Sequence, residues 1–537
     1  MTEGEALVLA GHGSHENPES SLAVKRKARE IREMEVFDEV TASFWKEQPE
    51  FQNVLDDFEY GTVYVVPFFM SEGYFSGRVL PRELKANKSH PDSQVSTPEE
   101  PDFRLCEPVG TDDRMAETVI DRVRRVKKTV SVESGDVDVL VIGHGTERHE
   151  GSSRSLEEHV EYLKSRYGDE FSDLEAVYLD EPPYLDGWRK RFDGDLDVVA
   201  VPFFVSDGLH TLEDIPEILE VGMDERTTGG IRQGGDGTTV WYSGALGTEE
   251  RLTQVILDRA RSEGADLEKQ VPTGMNDYTR EFVSLLDEFI SREGSLDWGE
   301  LRVTAERSNN GEAEGCRENA EYLVRNQDDD LEDEVEPVEK PFELYRLTRF
   351  DDSGGFRSWR FETSLPSGWV YRASSPEAVV EAVEYVYPAS VRRWWRTRKQ
   401  NDVDPTTDFI SSAERQSGIY AGLSECGRDK VESLSEPVCG RCVKEREWSF
   451  DGSCSNSTET ESSSKGTGSF SIPCVEPCSF FRAVAKETVE REDSTLTVPD
   501  VSDTPEGEER KEFYLGEYLR KSVDTKSQKS ESGEVTP

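Results

Sequence analysis

Four short apolar runs punctuate the first half of the chain: ALVLAG over 6–11, VYVVPFFM over 63–70, VDVLVIG over 137–143 and VVAVPFF over 198–204. Runs of this length without polar alternation are the pattern of strands buried on both faces. Polar stretches with apolar positions at helical spacing lie between them, SLAVKRKAREIREM over 21–34 and SRSLEEHVEYLKSRYG over 153–168. Short strands alternating with helices predict an α/β fold, its parallel sheets joined by right-handed crossovers.

The pattern occurs twice. ALVLAGHGS at 6–14 returns as VLVIGHGT at 139–146, and VVPFFMSEG at 65–73 returns as AVPFFVSDG at 200–208. Between these landmarks FWKEQPEF in the first copy answers YLDEPPYLDGW in the second, which pairs Glu47 with Glu181. Ligands of parallel sheets bind outside the carboxyl ends of the strands. That rule gathers His12 and Glu47 on one rim, and His144, Glu181 and His210 on the other. The chain has only seven histidines, and three of them fall at these positions. Two neutral imidazoles suit a borderline divalent ion such as cobalt, nickel, iron or zinc. The Glu181 carboxylate beside them can accept protons. The first copy departs from the pattern, with Phe75 at the position of His210, and Arg78 and Val79 at those of Glu213 and Asp214. The active pair is therefore expected in the second half. His12 reads either as a relic of duplication or as a third contact across a cleft.

Beyond residue 265 the pattern changes. Phe282, Leu285, Leu286 and Phe289 have the spacing of an amphipathic helix. Residues 341–372 alternate as PFELYRLTRF, FRSWRFETS and GWVYRAS, which predicts three antiparallel strands with a Gly turn at 354–355. Ser375, Pro376 and Glu377 then open a helix running through Tyr387, serine as the N-cap and proline in the first turn. Loops or polar insertions are expected at 84–102 and 223–237, and a solvated acidic break near 327–340.

Charge changes the picture. The 537 residues carry 63 basic and 112 acidic side chains, a net charge of −49. The mean hydropathy is −0.69. The acids are scattered and the strands bury well, which indicates a folded protein of a high-salt cytoplasm, where salt screens self-repulsion. Nucleic acid is excluded as a partner, because phosphate binding needs a basic face. No run approaches the roughly 18 apolar residues of a membrane span, and the first ten residues do not read as a signal peptide. A cytoplasmic monomer or small homo-oligomer is expected. Arg346, Arg349, Arg357, Arg360, Arg372, Arg392, Arg393, Arg396 and Arg398 make the middle of the second half locally basic. They read as ion pairs with acidic neighbours or as contacts to a polycarboxylate.

Six of the eight cysteines fall in the last quarter: Cys426, Cys439, Cys442, Cys454, Cys474 and Cys478. In a reducing compartment such a cluster points to metal. The C-x2-C of Cys439 and Cys442 with the C-x3-C of Cys474 and Cys478 suits four thiolates on tetrahedral zinc or an iron–sulfur cluster. Cys426 is a possible substitute ligand. Cys454, in a Gly/Ser/Thr linker, is expected to be free.

The GHG element with PFFVSDGLHTLEDIP at 202–216 resembles the class II chelatases of the CbiX/SirB type, the sirohydrochlorin chelatases, over roughly residues 5–260. The resemblance implies two flavodoxin-like halves facing across a cleft. It implies insertion of Co2+, or of Fe2+ toward sirohaem, into the tetrapyrrole sirohydrochlorin. The family's metal-binding histidines map onto His144 and His210 and its acidic residue onto Glu181. Family members with a C-terminal iron–sulfur module favour [4Fe–4S] over zinc here, and the acidity fits a haloarchaeal member. The expected domains are two chelatase-like repeats at 1–130 and 131–265, an α+β stabilising module at 270–400, a Cys-rich module at 405–493 and a disordered tail at 494–537. A reading from another class is a metal- or redox-sensing protein built on a chelatase fold without turnover.

Overall fold

The structure, a computed structural model, describes residues 2–14, 19–51, 54, 60–73, 75–86, 101–130, 137–145, 151–192, 196–208, 210–223, 230–233, 238–268, 277–307, 320–329, 335–349, 365, 367–399 and 405–414, with positions 428, 429, 431, 433–435, 476–478, 481, 482 and 485. The chain divides into two units, Met1–Met275 and Asn276–Pro537.

The first unit holds two sheets. Strands β1 (Thr2–Gly11), β2 (Glu39–Phe44), β3 (Tyr60–Pro67) and β4 (Asp102–Leu105) form the first, wholly parallel, in the order β2-β1-β3-β4. The second contains β5 (Val137–Gly143), β6 (Leu174–Tyr178), β7 (Asp197–Pro202), β8 (Gly222–Met223), β9 (Gly230–Gln233) and β10 (Thr239–Tyr242), in the order β6-β5-β7-β10-β9-β8. Its first four strands are parallel, and β9 and β8 add an antiparallel edge. That edge corrects the loop expected over 223–237: Gly230–Gln233 pairs with β10 and satisfies backbone groups that would otherwise line an open sheet edge.

Each parallel strand faces two cores, as its unbroken apolar run predicts. From β1, Leu7 and Leu9 enter one core while Ala6, Val8 and Ala10 enter another. From β5, Val137, Val139 and Val141 join Leu7 and Leu9, while Leu140 and Ile142 turn to the outer face. The core common to both sheets is filled by α1 (Glu19–Arg32), α3 (Asp113–Val130), α4 (Gly151–Tyr167) and α6 (Glu250–Ser262). Two shorter helices, α2 (Leu80–Ala86) and α5 (Ile215–Leu219), cover the outer faces.

The last helix of each copy crosses to the other. Helix α3 packs on β7 of the second sheet and α6 on β3 of the first. Arg122 on α3 donates to the carbonyls of Ser243 and Ala245, 2.9 Å each. Arg259 on α6 donates to Thr111 Oγ1 at 2.9 Å, and Arg104 to the Glu263 carbonyl at 2.6 Å.

The second unit is built on a sheet of order β11-β12-β13-β15-β14, from β11 (Ser295–Trp298), β12 (Leu301–Arg307), β13 (Ala320–Asn326), β14 (Glu336–Val338) and β15 (Trp369–Ala373). Helix α7 (Asp277–Glu293) buries Phe282, Leu285 and Leu286, and the Phe282 ring meets Trp298 edge-on at 4.9 Å. Residues 341–349, expected as a strand, form helix α8 (Pro341–Arg349) instead. Its buried positions Pro341, Leu344 and Tyr345 follow helical spacing, with proline in the first turn. The middle strand expected over 356–364 lies outside the described residues, as do Arg357 and Arg360. The acidic break is partly buried: Asp329 is 7% exposed and accepts from Gly368 N at 3.0 Å, and β14 pairs with β15. Helix α9 (Pro376–Val386) starts at Ser375, whose Oγ accepts from Ala378 N at 3.3 Å. Helices α10 (Ser390–Lys399) and α11 (Pro405–Glu414) follow. Of the arginines expected to make a basic patch, Arg372 pairs with Glu321 at 3.3 Å, and Arg392 is buried against Glu476 at 3.7 Å. Among the described residues no helix is long and apolar enough to cross a membrane.

Candidate functional site

In each parallel sheet the strand order reverses between two central strands, β1 and β3 in one, β5 and β7 in the other. The crevice outside such a switch point is where open α/β sheets take their ligands. In the second copy His144 follows β5 directly. The chain after β6 folds back beside it: Leu179 N donates to Gly143 O at 3.2 Å and Asp180 N to His144 O at 3.0 Å. This lays Glu181 against Gly145, whose φ is +72°. A Cβ at 145 would stand 2.7 Å from Glu181 Cγ, so the close approach requires glycine twice over. After β7 the chain enters a π-helical turn, His210–Asp214. Gly208 N donates to Thr211 Oγ1 at 2.9 Å and Leu212 N donates to Gly208 O at 2.9 Å, which aims His210 back over the rim.

The His144 and His210 rings stand 4.8 Å apart, nearly perpendicular at 85°. His144 Nδ1 donates to the Gly145 carbonyl at 2.7 Å, with Asp180 Oδ2 3.6 Å away. His210 Nδ1 donates to Asp214 Oδ2 at 2.6 Å. Both bonds place the proton on Nδ1 and leave the Nε2 lone pairs as ligands. Phe204 lies 6.4 Å from each ring and walls the pair. Glu181 Oε1 is buried without a hydrogen-bond partner among the described residues. Burial first, and the Glu157 and Glu181 carboxylates with it, push the Tyr178 hydroxyl far above the ordinary value. No group of three or more His, Cys, Asp or Glu side chains gathers into a metal-binding arrangement among the described residues.

The first copy repeats this frame bond for bond. Gly13 has φ +63° and lies against Glu47. Trp45 N donates to Gly11 O, and Lys46 N to His12 O. A π-helical turn covers Phe75–Val79, with Gly73 N donating to Ser76 Oγ at 3.1 Å. The chemistry differs. Glu47 is buried and paired with Lys25 at 3.3 Å, and His12 meets Trp45 at 5.4 Å and Phe75 at 6.1 Å. The sequence expectations did not include roles for Asp214, Asp180 or Phe204. An aspartate four residues after a histidine inside one helical turn was the signal for Asp214.

In the second unit, Cys478 Sγ accepts from Phe481 N at 3.4 Å, next to fully buried Glu476 and Arg482. Amide donation to sulfur stabilises a thiolate, so this residue fits one ligand of a cluster. Cys426, Cys439, Cys442, Cys454 and Cys474 lie outside the described residues. Cys106, expected to stand alone, is buried and free.

Comparison with known proteins gives three family matches along the chain. The CbiX family matches residues 6–126 and 138–263, the DR2241 stabilising domain 282–398, and a 4Fe-4S iron-sulfur cluster binding domain 402–487. A protein of Halobacterium salinarum named probable sirohydrochlorin cobaltochelatase is 44% identical over 274 residues, 49% of this chain and 92% of that protein. The sirohydrochlorin cobaltochelatase of Methanopyrus kandleri is 32% identical over 137 residues, 23% of this chain and 95% of that one. Among solved structures, DR2241 from Deinococcus radiodurans, described as a multi-domain protein with structural similarity to chelatases and two additional novel domains, superposes with a TM-score of 0.64 at 24% identity. The superposition covers 91% of this chain and all of that one, and shows a shared fold. The GHG and PFF elements that frame the histidine pair thus stand inside a sequence family matched in both copies, and the chain belongs to the CbiX family of chelatases.

Proposed function

We propose that the chain inserts a divalent metal, Co2+ first among candidates, into sirohydrochlorin. The observation that carries this reading is the pair of imidazoles 4.8 Å apart, each held by its Nδ1 so that Nε2 is free to bind the ion. Insertion must strip the ion of its ligands and remove two pyrrole protons. His144 and His210 take the ion from water and pass it to the ring nitrogens. Glu181 Oε1 accepts the two pyrrole protons in turn, as a general base, passing the first to solvent before it takes the second. Asp214 orients His210. Four thiolates, Cys439, Cys442, Cys474 and Cys478, would hold a [4Fe–4S] cluster, with Cys426 as a substitute; bound there, the cluster supplies electron transfer or a structural cross-link. The exchangeable imidazoles, without sulfur, are the insertion site. The charge of −49 supports work in a high-salt cytoplasm.

The test is anaerobic incubation of the full chain with sirohydrochlorin and either Co2+ or Fe2+, followed by absorbance. His144→Ala and His210→Ala should abolish insertion with the far-UV circular dichroism unchanged. Glu181→Gln should slow it by on the order of a hundredfold. Normal turnover in both histidine variants overturns the assignment, and binding without turnover by the unaltered chain favours the sensing alternative. Brown protein with iron distinguishes the cluster from zinc, which is colourless.

A further inference from the structure

The first copy keeps the frame of the metal site and has exchanged its chemistry position by position. Phe75 begins the same π-helical turn as His210. Trp45 takes the place of Leu179, each donating its backbone N–H to the glycine before the rim histidine. Arg78 and Arg82 stand where the second copy has Glu213 and Glu217, and Lys25 stands at the level of Glu157. All three of these charges reverse sign between the copies.

The result is a continuous aromatic surface. Phe69 meets Phe75 at 4.6 Å, Phe75 meets Trp45 at 5.3 Å, and Trp45 meets His12 at 5.4 Å. Phe69, Phe75 and Trp45 are partly exposed, and His12 is exposed. Arg78, in the same π-helical turn as Phe75, and Arg82, in the helix that follows it, are exposed. This rim cannot hold an ion as its counterpart does: phenylalanine has no donor atom, and Lys25 engages Glu47. A decayed metal site would need neither a tryptophan nor a set of matched charge reversals. Rings edged by arginine suit a flat, unsaturated molecule with peripheral carboxylates, since aromatic faces stack and guanidinium pairs with carboxylate.

The loop that carries His210 reaches the first copy. Gly208, two residues before His210, approaches Ser20 in the first turn of α1, the helix that the His12 loop enters; a Cβ at 208 would lie 3.3 Å from Ser20 Oγ. We propose that the first copy is the tetrapyrrole-binding half: Phe75 and Trp45 lie against the macrocycle and Arg78 and Arg82 hold its carboxylates, while the second copy presents the ion. The proposal rests on the chelatase reading and adds a division of labour between the copies.

The test is an anaerobic fluorescence titration of metal-free sirohydrochlorin into the full chain, beside a separate titration of Co2+ without tetrapyrrole. Phe75→Ala should raise the Kd for sirohydrochlorin about tenfold, with Phe75→Tyr close to the unaltered chain. Arg78→Glu should also weaken it. Co2+ binding should be unchanged in all three. If Phe75→Ala loses its circular dichroism signal, the exposed Arg78→Glu decides. An unchanged sirohydrochlorin Kd in the folded variants overturns the proposal, as does a parallel loss of Co2+ binding. Failure of the unaltered chain to bind sirohydrochlorin sinks the chelatase reading and this one together. Binding by the unaltered chain with no weakening in the variants sinks only this one.

Discussion

Asp214 shows how much the arrangement of the histidine pair depends on a residue outside it. Its carboxylate accepts a hydrogen bond from His210 Nδ1 at 2.6 Å and so fixes which ring nitrogen carries the proton. Asp214→Asn should weaken Co2+ binding ten- to a hundredfold, the usual cost of losing such a support, read by titration without tetrapyrrole. That His144 and His210 would meet at the strand ends was legible in the sequence because the repeat doubled their context. Glu181 was legible only through its partner Glu47, and the glycines that seat both carboxylates explain why the spacing there is tight. Asp180 and Phe204 had no such signal, since their roles come from a loop folding back and a strand end meeting a turn. Cys106 gives a prediction of a different kind. Burial pushes its thiol up from 9.0 to about 12, with the Glu263 carboxylate adding to the shift. As pH rises past 9.0 the unfolded chain releases this proton while the folded chain keeps it, so stability falls from there toward 12. Cys106→Ala should flatten that decline in denaturation midpoints measured between pH 8 and 11.

Elements buried on both faces were readable from their length and lack of alternation, and the double-faced cores of β1 and β5 are the physical reason. The elements that misled are those of mixed polarity. In helix α8 Phe342 and Leu344 stand either side of polar Glu343, and in a short segment this alternation resembles a strand, although the adjacent Leu344 and Tyr345 are both buried, as a helix allows. Strand β9 has one glycine of its own but is flanked in sequence by Gly, Thr and Asp, and composition alone reads such a stretch as loop. The start of α9 was legible because its cap is a local bond. Ser375→Ala removes the acceptor of the Ala378 N–H and should destabilise the second unit by about 1 kcal/mol, measured by chemical denaturation, with Ser375→Asp near neutral.

At the scale of the molecule, the exchange of α3 and α6 between the two sheets was invisible in the sequence, because the repeat fixes what each copy contains and not where its last helix docks. Residues 1–130 and 131–265 expressed separately should each fail to give a folded monomer, since each sheet would lack a covering helix. Residues 1–275 together should melt cooperatively. A monomeric, cooperatively melting 131–265 fragment would contradict the exchange. The same feature bears on descent. Once a duplicated chain seals each sheet with the other's helix, either copy can lose its reactive residues but neither can be deleted, because its helix remains indispensable to its twin. Selection is then left with a scaffold it must keep and a rim it is free to rewrite, and Phe75 and Trp45 are what stands on the rim of the copy that lost its second histidine.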